Sequence, residues 1–272
     1  MDNKHLYDTY PLFESLVPEK IIYEQPLNER IRTFLRLEFL FMRIDHALTQ
    51  NNELNNRNAI DGLLSILSVF ERSDLKQEIA KELERLVSTL SALENSPGVN
   101  KLALDDLLNE LDQILDALHM SKAAIGQSLR ENDFLYSIRQ RASIAGGSCD
   151  FDLPAYHFWL QHTPDESRNQ QLLNWLNQFA SLRAAIEISL KLIRGSTGFI
   201  TATADAGFFQ KNLNSSLANQ LIRVQIMNDT AYYPEISGGK HRFTVRLMQF
   251  DIDQRAKQVT ENIGFSLSIC AM

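Results

Sequence analysis

The stretch His241-Arg242-Phe243-Thr244-Val245-Arg246-Leu247-Met248 alternates polar and apolar residues, and two of its polar positions are arginines. In a strand, successive side chains point to opposite faces. Phe243, Val245 and Leu247 therefore enter a core, while Arg242, Thr244 and Arg246 share the other face. The two arginines stand roughly 13 Å apart at about 3.3 Å per residue. That span suits an extended anionic or mixed-charge peptide better than a single carboxylate. Lys240 and His241 lead into the run. A flat basic face of this kind reads as a binding surface more than a catalytic pocket.

Two further stretches repeat the pattern. Ile222, Val224 and Ile226 alternate with Arg223 and Gln225; Ile263, Phe265, Leu267 and Ile269 alternate with Gly264, Ser266 and Ser268. Such alternation predicts an antiparallel sheet with one solvated face. On this reading Arg223 shares that face with Arg242 and Arg246. Residues 198–203 and 207–210 read as a hairpin around Ala204-Asp205-Ala206.

Before Gly195 the period is helical. Asn28 can cap a helix from Glu29 to about Leu48. That helix carries Ile31, Phe34, Leu35, Leu37 and Phe41 among apolar residues on most of its sides. Such a distribution implies burial by its own domain and by a partner, so these five residues are candidates for a homodimer contact. Further helices follow the stripes Ile60 to Phe70, Leu75 to Leu93 and Leu104 to Leu118. Another covers about Lys122 to Arg141, and a last one starts at Thr163-Pro164-Asp165-Glu166 and ends at Gly195. Ile21 to Glu24 is a short strand candidate ended by Pro26. The expected fold class is α+β: residues 1–20 a tail, 21–27 a strand, 28–195 a dimerising helical domain, and 196–272 a β-domain with a basic face.

Composition narrows the function. With 44% apolar and 22% charged residues, the chain is ordinary for a globular protein. The net charge of -7 argues against a general nucleic-acid binder. Between Gly207 and Phe250, however, five cations stand against two anions. The two cysteines, Cys149 and Cys270, have no paired spacing and fit a reducing cytoplasm. The N-terminus has no apolar signal region, and no apolar run approaches a membrane span.

Chemical motifs are incomplete. Gly238-Gly239-Lys240 lacks the earlier glycine and following Ser or Thr of a phosphate loop, so a turn entering a strand explains it better. Cys149 and His157 lack a third partner and a nucleophile elbow. His157 and His162 are five apart, which does not put two ligands on one helix face. No catalytic, metal or cofactor site is expected. The bland reading of the sheet arginines is protection of strands against aggregation; it weighs most for Arg223, which stands apart from Lys240.

Longer blocks resemble a known family. Residues 22–38, Ile-Tyr-Glu-Gln-Pro-Leu-Asn-Glu-Arg-Ile-Arg-Thr-Phe-Leu-Arg-Leu-Glu, are similar to the N-terminal signature of the bacterial cell-division protein family ZapD. So are Val69-Phe70-Glu71-Arg72, Ile125 to Glu131, Arg139 to Arg141, Gly146 to Pro154, and Tyr233 to Gly238 with Lys240, Arg242, Phe243 and Arg246. The blocks keep their order from about Ile21 to the C-terminus. The resemblance implies a cytoplasmic dimer with a helical domain and a β-domain whose sheet takes in the early strand. It implies binding to the C-terminal tail of the tubulin-like protein FtsZ, and bundling of FtsZ filaments at midcell. It places the tail contact on Arg242 and Arg246, with Lys240, Arg72 and His157 in matching blocks. The main alternative is a non-catalytic module that holds single-stranded nucleic acid or another anionic peptide on the basic face. That mode wants exposed aromatics, and Phe243 and Phe265 are expected on the apolar side.

Overall fold

In the computed structural model, residues 19–50, 52–71, 74–120 and 125–272 are described. Asn28 has an extended backbone, and its side-chain oxygen accepts the backbone N–H of Ile31 at 3.0 Å. That cap opens helix α1, Glu29–Leu48. Ile31, Phe34, Leu37, Phe41 and Ile44 recur at helical spacing on one stripe, and all are buried. Helices α2 (Glu53–Phe70), α3 (Leu75–Ser91) and α4 (Lys101–Met120) follow, with α1 packed on α2 and α3 on α4. The chain continues through α5 (Gln127–Arg130), α6 (Asp133–Ala142), α7 (Pro154–His162), α8 (Asp165–Leu176) and α9 (Ala180–Gly195).

The single helix expected over 122–141 is two helices. Asn132 interrupts it, because its side chain accepts the N–H of Leu135 at 3.0 Å and starts α6 afresh. Lys122 itself lies outside the described residues. The last helix is likewise split, by a 3₁₀ turn at Asn177–Phe179 that buries Phe179 against Phe41 and Phe70. Two ion pairs fasten α9 to α1. Arg194 donates to both oxygens of Glu38 at 2.6 and 2.7 Å, and Arg183 donates to both oxygens of Asp45 at 2.9 and 2.6 Å. These helices form one compact unit from Asn28 to Ser196.

A second unit joins the early strand β1 (Lys20–Pro26) to residues 197–271. Its other strands are β2 (Ile200–Ala204), β3 (Phe208–Asn212), β4 (Asn219–Met227), β5 (Tyr232–Gly238), β6 (Arg242–Gln249), β7 (Lys257–Gln258) and β8 (Ile263–Ala271). They form two antiparallel sheets among the described residues. The first, sheet A, has the order β1-β4-β8-β2; the second, sheet B, has the order β3-β6-β5, with β7 pairing the end of β6. Tyr23 of β1 pairs with Val224 of β4, so the early strand does enter the C-terminal sheet.

The two sheets share one core. Ile222, Val224, Ile226, Phe265 and Leu267 from sheet A meet Phe243, Val245 and Leu247 from sheet B. Phe209 bridges them, 6.0 Å from the Phe243 ring and 5.5 Å from the Phe265 ring. Each fully buried side chain of this size contributes about 1.5–3 kcal/mol. The hairpin expected over 198–210 does not form. β2 pairs with β8 in sheet A and β3 with β6 in sheet B, so the turn carries the chain from one sheet to the other. Alternation marks a strand but does not name its neighbour.

Candidate functional site

The outer face of sheet B is built from side chains opposite those core residues. On β6 it presents Arg242, Thr244, Arg246 and Met248. Cross-strand register adds Phe208, Gln210 and Asn212 from β3, and Tyr233, Glu235 and Ser237 from β5. Arg246 therefore sits between Phe208 and Glu235. Arg242 and Arg246 are exposed, whereas Phe243, Val245 and Leu247 between and beside them are at most 1% exposed. Among the described residues neither arginine side chain makes a hydrogen bond or ion pair. Glu235, their one carboxylate neighbour in the register, is met instead by the Tyr233 hydroxyl at 3.5 Å. Lys240 and His241 are exposed in the β5–β6 turn, which the Gly239 N–H closes onto the Arg242 carbonyl at 3.0 Å. Gly238-Gly239-Lys240 is thus a hairpin turn between strands, a different setting from the strand-to-helix loop that cradles phosphate.

Arg223 does not share this face. It lies on β4 in sheet A, donating from Nε to Glu24 of β1 at 2.9 Å, with its guanidinium 5.1 Å from the Phe199 ring. Its side chain is only 15% exposed. The reason is geometric. Two sheets that turn their apolar faces inward put their polar faces on opposite outsides. Strand alternation fixes the side of one sheet, and the sequence expectation merged two sheets into one.

The remaining expected site residues fall elsewhere. Arg72 lies outside the described residues. His157 belongs to the helical unit, on α7, where Nδ1 stands 3.2 Å from Asp150 Oδ2. Asp150 also accepts from Arg57 at 2.8 Å, and Arg57 donates to Glu53 at 2.9 Å. The hydrogen bond from Arg57 holds the Glu53 carboxyl below its ordinary range. Cys149 Sγ is 3.5 Å from Asp152 and is not joined to His157 by any contact among the described residues. This network fastens the 143–153 loop to α2 and α7.

Of the five candidate dimer residues, Ile31, Phe34, Leu37 and Phe41 are at most 2% exposed in the protomer's own core, and Leu35 is half-buried. The large apolar side chains that α1 leaves to solvent are Phe39, 53% exposed, and Met42, 59% exposed. The Arg43 guanidinium stands 5.9 Å from the Phe39 ring. Periodicity found the stripe; it could not tell the buried edge of a broad stripe from the exposed one. Sequence reading also missed Phe208 and Tyr233, the half-buried aromatics beside the arginines. Only the cross-strand register brings them there.

Among the described residues, no group of three or more His, Cys, Asp or Glu is placed to hold a metal ion, and no helix is long and apolar enough to cross a membrane.

Comparison with known proteins supplies the family. Residues 35–246 match the family model described as ZapD, cell division protein. The chain is 38% identical over 253 residues to the cell division protein ZapD of Methylococcus capsulatus, covering 93% of this chain and 99% of that protein. It is 42% identical over 253 residues to ZapD of Cupriavidus pinatubonensis, and 42% over 252 residues to ZapD of Ralstonia nicotianae, each covering 92% of this chain and 99% of the relative. With the β-unit and its basic outer face in place, the chain belongs to the ZapD family of cell-division proteins.

Proposed function

We propose that this protein binds the C-terminal tail of FtsZ on the outer face of sheet B and, as a dimer, cross-links FtsZ filaments at the division ring in the cytoplasm. The observation that carries this reading is the pair of exposed arginines, Arg242 and Arg246. Among the described residues they are without a carboxylate partner, on a rigid strand whose other side is the core. Positive charge held on a sheet face outside any ion pair attracts a flexible anionic segment and steers its approach. Lys240 extends the positive charge at one end of the strand. The role is one of binding, without catalysis or a cofactor. Two sites per dimer would raise avidity without new contacts, so each site can be weak. The dimer contact is proposed on the outward side of α1, with Phe39 and Met42 as its apolar centre.

Fluorescence anisotropy with a labelled FtsZ-tail peptide tests the reading. Binding should weaken steadily as salt rises, because exposed charges are screened over about 10 Å at 0.1 M. Salt-independent binding would assign the contact to apolar groups elsewhere. One observation favours a second reading: Phe208 and Tyr233 on the same face could stack bases. A gel shift with short RNA and DNA at physiological salt checks it; the net charge of -7 predicts no shift.

A further inference from the structure

The open edge of β3 offers backbone groups beside the arginine face. β3 ends its sheet, pairing with β6 and, among the described residues, with no strand beyond. In an antiparallel pair, directly opposed residues alternate between exchanging both hydrogen bonds and exchanging none. Leu247 donates to the Gly207 carbonyl and Leu213 donates to the His241 carbonyl, which sets that alternation. The odd-numbered residues of β3 bond to β6. Phe208, Gln210 and Asn212 therefore turn their N–H and C=O groups outward. The Phe208 N–H is taken by Asp205 at 2.9 Å, which leaves those of Gln210 and Asn212 at the edge.

The other edges differ. On β5 the same alternation, set by Gly239 to Arg242 and Phe250 to Ala231, turns Pro234 outward. On β1, Leu27 to Gln220 sets it, and Pro26 turns outward. Proline has no N–H and blunts both edges. β2 carries no cation to match an acidic strand. β3 carries Lys211, exposed on the core-side rim, where an inward charge would repel most added strands. Opposite an acidic residue the same lysine becomes an attraction. Lys211 thus favours an acidic strand over others at this edge.

We propose that an extended acidic segment docks by adding a strand to β3, exchanging backbone hydrogen bonds with Gln210 and Asn212. Side chains of the segment directly opposite Gln210 and Asn212 then share the face of Arg242 and Arg246. They lie two strand spacings, roughly 10 Å, from β6, a gap that an arginine and a carboxylate side chain span together. The residue between them lies beside Lys211. The segment is thus selected by acidic residues at alternate positions, and its affinity comes from backbone as well as charge. This inference rests on the tail-binding reading above and gives it a register.

The experiment pairs two variants with a peptide scan. Gln210→Pro removes an outward N–H and leaves the bonds to β6 in place. It should weaken binding of the FtsZ-tail peptide at least tenfold, with circular dichroism and melting unchanged. Against the wild-type protein, peptides N-methylated one residue at a time should lose binding at every second position across the docked segment. If Gln210→Pro fails to fold, the methylation scan decides alone. Binding that Gln210→Pro and every methylated peptide retain, while Arg246→Glu loses it, overturns the strand addition and leaves the basic face standing. Wild-type binding by Arg246→Glu overturns the reading of the face itself.

Discussion

Arg223 and Arg246 occupy equivalent positions in the alternation of their strands, yet their surroundings assign them opposite work. Arg223 is tied to Glu24 across β1 and β4 and largely covered, so it acts on stability. Arg223→Ala should cost about 1.5–3 kcal/mol, the range for a hydrogen bond to a charged group. Denaturant melts should show that loss while the tail peptide binds as before. Arg246 is exposed and unpaired among the described residues, and Arg246→Glu reverses its attraction for an acidic segment. It also sets two glutamates opposite each other, since Glu235 is its cross-strand neighbour, at a cost of about 0.2–1 kcal/mol. Arg246→Gln avoids that repulsion and should lose most of the binding with no measurable change in melting. Gly126 shows a different constraint. It has φ +67, and a Cβ there would stand 2.7 Å from Leu67 Cδ2 and 3.1 Å from Phe179 Cζ. Gly126→Ala should destabilise by about 1–3 kcal/mol through overpacking, read as a lowered melting temperature. At this scale the sequence showed which side of its own strand each arginine takes. It did not show the Glu24 partner 199 residues away, because pairing between distant strands leaves no local periodicity.

Helix ends were legible where a side chain competes openly with the backbone. Asn28 is such a case, and Asn28→Ala should cost about 1 kcal/mol by leaving an N–H at the α1 start without its cap. Thermal melting of the helical signal checks it. Asn132 does the same inside a stretch whose apolar spacing runs straight on, so the stripe hid the break. The split between α8 and α9 was hidden for the same reason: the 3₁₀ turn keeps Phe179 in the stripe while changing the helix. Strand identity was legible from alternation, but partners were not, which is why β2 and β3 read as a hairpin. The loop network around Arg57 carries a pH dependence. Glu53 is held below its ordinary value of 4.5 by the Arg57 hydrogen bond. A carboxylate with a lowered folded value contributes stability above its unfolded value and loses it as pH falls through the folded one. Stability should therefore decline below about pH 4.5, and Glu53→Gln should flatten that part of the acid limb in melts across pH 3 to 6.

Across the whole molecule, the proposed function requires two separable properties: a face that binds a tail and a contact that doubles it. The family and the α+β architecture were readable because ordered sequence blocks and a change of period at Gly195 both survive without coordinates. The proposed dimer contact was blurred, because α1 is apolar on both its buried and its outward sides. Phe39→Asp replaces an exposed ring, so it should leave the protomer folded, give a monomer by light scattering, keep tail-peptide binding and lose filament bundling. A folded Phe39→Asp that remains dimeric would move the contact away from this side of α1. The most direct test of the basic face is co-sedimentation with polymerised FtsZ, run with wild-type protein, Arg246→Glu and Lys101→Glu on α4 of the helical unit, each first shown to be folded and in the same oligomeric state. Wild type and Lys101→Glu should pellet with bundled filaments, and Arg246→Glu should stay in the supernatant. Filament bundling by Arg246→Glu at the wild-type level would contradict the assignment of the sheet B face as the FtsZ site.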